Sequence, residues 1–317
     1  MAISQRCRFM YRVLLCLSFF CASSLVIAED KPLLYKVNIK GKTAYLFGSI
    51  HIGQADFYPL PRRVTEAFSR ASGLVVEAKP DNEHMVRLLQ KYGRKPYALD
   101  ERTALVFEQY CQDRGDFCAT ISTFSPWLQA LQISLMRYGA LGLSSQLGVD
   151  VTLMEQNGQR PLYELESAEE QLALLASFSE AIQWQMLEES IKASDEQMLL
   201  LVSAWRKGDA RLLSRLIKSQ LSARFGKTQA EDLPQKRNMS VKVNNTEDAL
   251  IERLLWQRNQ TMASNIERLL NAQGLDNLFV VVGVGHLVGD RSIQSELIKQ
   301  GASIKNCWQE DCLSTNH

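Results

Sequence analysis

Two short segments of this chain place an imidazole three residues after a glycine at the end of an apolar run: Gly48-Ser-Ile-His51 within LFGSIHIG (46–53) and Gly283-Val-Gly-His286 within VGVGHLVG (282–289). A glycine at a strand end lets the backbone turn sharply and approach a ligand closely, and the histidine after it then stands at the mouth of a sheet. Either histidine alone reads equally well as a polar residue capping a strand. Two in one setting, 235 residues apart, point to a shared site. Paired imidazoles suit a divalent cation or general acid/base work. Only two other histidines exist, His84 and His317. His84 falls in a surface-helix pattern (DNEHMVRLLQKY) and His317 is the last residue, so both read as bystanders.

Three further groups join this list. Glu77 follows three apolar residues in LVVEA (74–78), where an ionised carboxylate costs free energy unless it is paired or holds a cation. The alternatives are an outward-facing side chain or an ion pair with Arg62 or Arg63. Arg258-Asn259 sits in a helical pattern, ALIERLLWQRNQTMASNIERLL, and could hydrogen-bond a substrate carbonyl or carboxylate, or could lie on a solvated face. Asp150, Glu164 and Glu166 are carboxylates of the same ambiguity. The Gly283-x-Gly285 pair resembles the start of a dinucleotide loop, but its third glycine, Gly289, comes one residue late and too little chain follows for a nucleotide domain.

The elements that must carry these residues follow from periodicity. Residues 33–47 alternate around Gly41-Lys42 as a hairpin, 61–71 form a short helix opened by proline, and 74–78 form a buried strand. Residues 82–222 are mainly helical, interrupted by a strand at 160–166, after which Ser167 and Glu170 make a capping box. Residues 222–247 lose periodicity and read as a long polar loop, a lid or gate. A helix over 247–272, the strand LFVVVGV, a helix near 290–300 and a strand at 302–306 complete the chain. This order predicts an α/β fold: a mixed central sheet built from both ends of the chain, with a large helical insertion over about 82–272.

Composition narrows the function classes. With 36 Lys+Arg against 35 Asp+Glu the net charge is +1, which argues against nucleic acid as a partner. Residues 1–28 read as a signal peptide: Arg6, Arg8 and Arg12, then the apolar run 13–27, then small residues suited to cleavage after Ala28. Cleavage would leave 289 of the 317 residues, with no further run of membrane-spanning length. Loss of three arginines would take the net charge from +1 to −2. A periplasmic or secreted protein is therefore expected, with no stable membrane insertion after cleavage. Of the seven cysteines, Cys111, Cys118, Cys307 and Cys312 remain in the mature chain. In an oxidising compartment they read as disulfides, with the local pairs Cys111–Cys118 and Cys307–Cys312 favoured over a four-thiolate zinc site. Asn238, Asn244 and Asn259 head Asn-x-Ser/Thr sequons, relevant only in a glycosylating host.

Taken in order, Gly48-Ser-Ile-His51, Glu77, Gly148-Val-Asp150, Leu165-Glu-Ser-Ala-Glu-Glu-Gln171, Arg258-Asn259 and Gly283-Val-Gly-His286-Leu-Val-Gly289 resemble the TraB/GumN family, which includes the Tiki metalloproteases. The resemblance covers nearly the whole mature chain. It implies a fold similar to the erythromycin-esterase and haem-related ChaN types, and a divalent-metal-dependent peptidase activity. The expected function is thus an exported metal-dependent hydrolase acting on a peptide or small-molecule substrate. His51, His286 and Glu77 would hold manganese, cobalt or zinc, and Arg258 and Asn259 would contact substrate. Glu77 or Glu166 would move a proton. The competing expectation is a periplasmic protein that binds or sequesters peptides or small ligands without catalysis; a haem- or metal-handling protein follows from fold similarity alone. The sequence departs from the family at Lys79, where an acid is common.

Overall fold

The structure is a computed structural model describing residues 29–79, 82–94, 98–225, 251–272 and 275–313. The expected signal peptide, most of the 222–247 loop, Asn238, Asn244 and His317 lie outside the described residues.

The hairpin forms as expected. Strands β1 (Leu34–Ile39) and β2 (Lys42–Ser49) pair antiparallel across a turn in which Lys40 and Gly41 both take positive φ, 49° and 78°. That backbone matches the right-handed twist of the flanking strands. Helix α1 (Arg62–Ser69), with proline just before its first residue, then leads to β3 (Gly73–Val76). The middle of the chain is helical: α2 (Asn82–Gly93), α3 (Glu101–Cys111), α4 (Gly115–Ile121), α5 (Pro126–Ala140) and α6 (Val149–Glu155) precede the short strand β4 (Leu162–Glu164). After it come α7 (Ala168–Ala176), α8 (Glu180–Lys192), α9 (Asp195–Lys207) and α10 (Ala210–Phe225). Local chemistry sets their ends. Asp100 accepts from the Thr103 N–H to start α3, Ser167 and Glu170 close a full capping box on α7, and Gly208 ends α9 in the left-handed region. Helix α10 runs four residues into the stretch read as loop.

Within the described part of the helix expected over 247–272, a π-helical segment, Glu252–Trp256, precedes α11 (Gln257–Asn271). Strand β5 (Asn277–Gly283), helix α12 (Ile293–Lys299) and β6 (Ser303–Asn306) follow.

The six strands form one mixed sheet in the order β4-β3-β5-β2-β1-β6. The last-but-one strand, β5, fills the slot between β2 and β3 and pairs parallel with both, while β4 pairs parallel with β3. Four neighbouring strands therefore point the same way, and their C-terminal ends line one edge, where ligands bind in open parallel sheets. The register makes this concrete: Ser49 lies opposite Gly283, and Val76 lies between Val281 and Glu164. Strand β6, beside β1, closes the other side antiparallel.

Leu278, Phe279, Val280, Val281 and Val282 of β5 are at most 1% exposed, the unbroken apolar run of a strand covered on both faces. They belong to one cluster with Val64 and Phe68 of α1, Trp205 of α9, Met262 and Ile266 of α11 and Leu297 of α12. Smaller cores hold the helical part together: Leu88, Trp127, Leu128 and Leu172 in one, Ile121, Ile133 and Leu187 in another. The cysteines pair locally as expected. Cys111–Cys118 ties α3 to α4, and Cys307–Cys312 folds the segment after β6 back on itself. No described helix is long and apolar enough to cross a membrane.

Candidate functional site

Four of the residues singled out by type sit just past the ends of the four parallel strands. His51 follows β2, Glu77 follows β3, Glu166 follows β4, and His286 lies in the short 3-10 turn Val284–Leu287 after β5. The strand at 74–78 stops at Val76, so Glu77 is free to turn into the sheet edge. They converge at Gly283. A Cβ placed there would lie 3.0 Å from Glu77 Oε1, 3.5 Å from His51 Nε2 and 3.9 Å from His286 Cδ2, so any side chain at this position would fill the point where the three groups meet. Gly48, the other motif glycine, packs against Val284 and Leu287, joining the two histidine turns.

Each imidazole is held from behind by its Nδ1. His51 Nδ1 lies 2.9 Å from Asp150 Oδ2, and Asp150 stands in the first turn of α6. The His51 loop is clipped to that helix: Val149 N–H donates to the Ile50 carbonyl, and Gly53 forms a β-bridge with Ser144. His286 Nδ1 lies 2.5 Å from Asn259 Oδ1. The Asn259 amide orientation is fixed by chemistry. Its Nδ2 donates to the Arg291 carbonyl, which can only accept, so Oδ1 faces the ring and the His286 proton belongs on Nδ1. The His286 Nε2 lone pair then faces Glu77 Oε1 across 3.6 Å.

Glu77 is a fixed, ionised carboxylate. Its Oε1 accepts from the Gly283 N–H, and its Oε2 lies 3.2 Å from the Arg258 guanidinium and 3.4 Å from Gln171 Nε2. Arg258 also grips Glu166 through Nε, 3.0 Å from Oε2, and donates to the Leu254 carbonyl within the π segment. Burial alone would raise the Glu77 pKa, but the charges of His286, His51 and Arg258 together with the Gly283 N–H bring it down to about 2. His286 is pushed below the ordinary histidine value by burial, against the pull of Glu77. His51 goes the other way. The protein packed around it disfavours its charge, but the hydrogen bond and charge of Asp150, aided by Glu77, raise it to about 9.

A neutral His286 and an ionised Glu77 thus present two acceptors to each other with no proton between them. A cation bridging them would satisfy both. Two ligand atoms at about 2.1 Å from a tetrahedral ion stand about 3.4 Å apart, close to the 3.6 Å observed here. The donor set of two imidazoles and a carboxylate, each imidazole held by a hydrogen bond at its other nitrogen, fits a divalent metal. Among the described residues, no three His, Cys, Asp or Glu side chains already form a closed metal-holding group, so His51 would have to draw in.

The convergence point opens into a cavity of about 350 Å³. Its walls are largely apolar, including Val76, Met85, Leu131, Val151, Met154 and Val281, with Lys79 at the rim. Ser49, 1% exposed, lines it with a hydroxyl that has no hydrogen-bond partner among the described residues.

The structure therefore brings together His51, Glu77, His286 and Arg258, and places Asn259 behind His286 with both ends of its amide engaged. Buried at 1% exposure, Asn259 offers its sequon no access in the folded chain. Glu77 pairs with Arg258 rather than with Arg62 or Arg63. Glu164 accepts from the Lys79 N–H instead of facing the cavity centre. His84 lies on α2 and is not among the residues lining the cavity. Asp150 was one ambiguous carboxylate among several, and only the α6–loop contact identifies it as the partner of His51. Ser49 and Gln171 fall inside the quoted motifs, but their residue types alone assign neither a role.

The sequence model of the TraB/PrgY/gumN family matches residues 33–306, a span that contains every group described above. Among curated proteins, the chain is similar to "Uncharacterized protein YbaP" of Shigella flexneri, 26% identical over 262 residues, covering 80% of this chain and 87% of that protein. It is likewise similar to YbaP of Escherichia coli (strain K12), 26% identical over 261 residues with the same coverage. No solved structure matches the chain significantly.

Proposed function

Since this chain belongs to the TraB/PrgY/gumN family, we propose that the sheet-edge site is that of an exported metal-dependent hydrolase acting on amide bonds of peptides. The observation that supports this most directly is the facing pair of acceptors, His286 Nε2 and Glu77 Oε1, at the point His51 also reaches. His286, Glu77 and His51 would hold the ion. A divalent metal bound there supplies Lewis acidity, polarising a carbonyl and making water a better nucleophile at neutral pH.

The chain's own residues do the rest. Asn259 keeps the His286 proton on Nδ1 and its Nε2 lone pair aimed at Glu77. Arg258, anchored by Glu166, keeps Glu77 ionised and immobile. His51, with a pKa near 9, is protonated at neutral pH before any ion arrives; it must release that proton to become a ligand, or else keep it and donate to a substrate carbonyl oxygen. Glu166, with its oxygens engaged by Arg258 and Gln171, is a support for Glu77 rather than a proton carrier in this arrangement. The apolar cavity wall receives the substrate's side chains. The two local disulfides agree with the export that the N-terminal sequence suggests.

A second reading has its own support. Both Glu77 oxygens already have partners, Gly283 N–H on one and Arg258 on the other, so a peptide-binding protein without catalysis uses the same cavity. Elemental analysis of the purified mature protein, followed by cleavage of a peptide library with and without added manganese or cobalt, separates the two. The hydrolase reading expects bound metal, and cleavage lost in His286→Ala and His51→Ala. No metal uptake, with peptide binding unchanged in both variants, sinks it in favour of the binding protein.

A further inference from the structure

Within the cavity, almost every charge already has a counter-charge. Glu77 is paired with Arg258 at 3.2 Å and His51 with Asp150 at 2.9 Å. Lys79 is the exception: it lines the cavity at its exposed rim, and among the described residues no carboxylate pairs with its ammonium. Its backbone is held in place. The Lys79 N–H donates to Glu164 Oε2 at 3.1 Å, and the Glu77 carbonyl accepts from the N–H groups of Leu165 and Glu166. Only the lysine side chain is left to move. Two residues of chain span at most about 7 Å, so the Cα of Lys79 stands within that distance of the Cα of Glu77, and its side chain lines the same cavity as Glu77 and His51.

We propose that Lys79 is a specificity residue, and that the site takes short apolar peptides carrying a free carboxylate one or two residues from the reacting carbonyl. This substrate class rests on the peptide-hydrolase reading above. The apolar wall formed by Val76, Met85, Leu131 and Met154 receives the side chains, and Lys79 pairs with the carboxylate. A carboxylate can come from the peptide's C-terminus or from an acidic side chain. The shared chemistry is one anionic oxygen pair meeting one ammonium at the exposed cavity rim.

The test uses the mature protein in chelator-treated buffer and reads binding by fluorescence anisotropy. The probes are a fluorescein-labelled apolar tripeptide as the free acid, the same peptide as the C-terminal amide, and the amide with glutamate as its last residue. The free acid is expected to bind the unmodified protein about threefold more tightly than the amide, the gain of one exposed ion pair. Lys79→Met should erase that difference while leaving the amide's affinity unchanged, and Lys79→Arg should preserve it. Tighter binding of the glutamate amide than of the free acid would assign the pocket to an acidic side chain and keep Lys79 as its reader. Equal binding of acid and amide, a preference that survives Lys79→Met, or no binding of any probe overturns the proposal. Cleavage assays with metal then keep the two readings apart. Turnover without carboxylate preference would remove Lys79's role and leave the hydrolase; carboxylate preference without turnover would do the reverse.

Discussion

Replacing Asp150 by Asn removes the charge behind His51 while leaving a side chain of the same shape. The structure ties His51's pKa of about 9 to that carboxylate: one 2.9 Å hydrogen bond to Nδ1, with Glu77 adding a smaller pull. Set against an unperturbed 6.5, a rise to about 9 would correspond, away from solvent, to about 3.4 kcal/mol. The ring is 65% exposed, however, so solvent screening reduces the expected stability contribution to about 1 kcal/mol. Because the folded pKa is raised, this stabilisation is fully present below pH 6.5 and is lost as the pH rises through about 9. Asp150→Asn should therefore be less stable than the parent by about 1 kcal/mol at pH 6 and converge with it above pH 9. NMR titration of the imidazole Cε1–H signals in metal-free protein reads the pKa directly, and four histidines give a spectrum simple enough to assign. The His51 signal should titrate near pH 9 in the parent and fall by at least about one unit in Asp150→Asn. The same proton competes with a metal ion, so metal affinity should rise about tenfold per pH unit below 9 in the parent, and flatten earlier in the variant. A parent His51 that titrates below pH 7, or an unchanged value in Asp150→Asn, would refute this account of the site's electrostatics.

Other perturbations test other links. Arg258→Ala leaves Glu77 and Glu166 buried without their common cation and should cost roughly 3–5 kcal/mol in urea unfolding; a loss under 1 kcal/mol would show that the pair matters little. Gly283→Ala places a methyl 3.0 Å from Glu77 Oε1 and 3.5 Å from His51 Nε2. Metal uptake by calorimetry should fall at least about tenfold while stability drops by no more than about 1–3 kcal/mol. Unimpaired uptake would place any ion elsewhere. Glu77, brought down to about 2, contributes stability that is present above pH 4.5 and lost as the pH falls through about 2. Glu77→Gln should accordingly flatten the acid limb of a stability–pH curve, and an unchanged limb would contradict the assignment. Finally, Cys111→Ser with Cys118→Ser removes a crosslink of sequence separation 7 and should lower stability by about 2–3 kcal/mol in oxidising buffer. No difference from the parent would mean that the bridge contributes nothing to the fold.

Much of this protein was legible in residue order. The hairpin followed from alternation around Gly41, the Ser167–Glu170 capping box from two side chains three residues apart, and β5 from an apolar run too short for a helix. The local disulfides followed from short polar spacers. These are short-range features, and short-range physics writes them into the chain. The π turn at Glu252–Trp256 was not legible, because its residues read as an ordinary amphipathic helix and only packing decides where one extra residue enters. Nor was the division of roles within Arg258-Asn259. Both were candidates for substrate contact or a solvated face; in the fold the arginine holds Glu77 and Glu166, and the asparagine holds His286.

Sequence by itself determined that two glycine-framed histidines and a strand-end glutamate existed, because a motif needs only residue types and spacing. Only the tertiary structure decided that they meet. The chain inserts β5, its last-but-one strand, between β2 and β3, and that long-range parallel pairing brings residues 51, 77 and 286 to one sheet edge. It also chose Asp150 from several equivalent carboxylates, because a hydrogen bond depends on where a helix N-terminus docks and not on how far along the chain its residue lies.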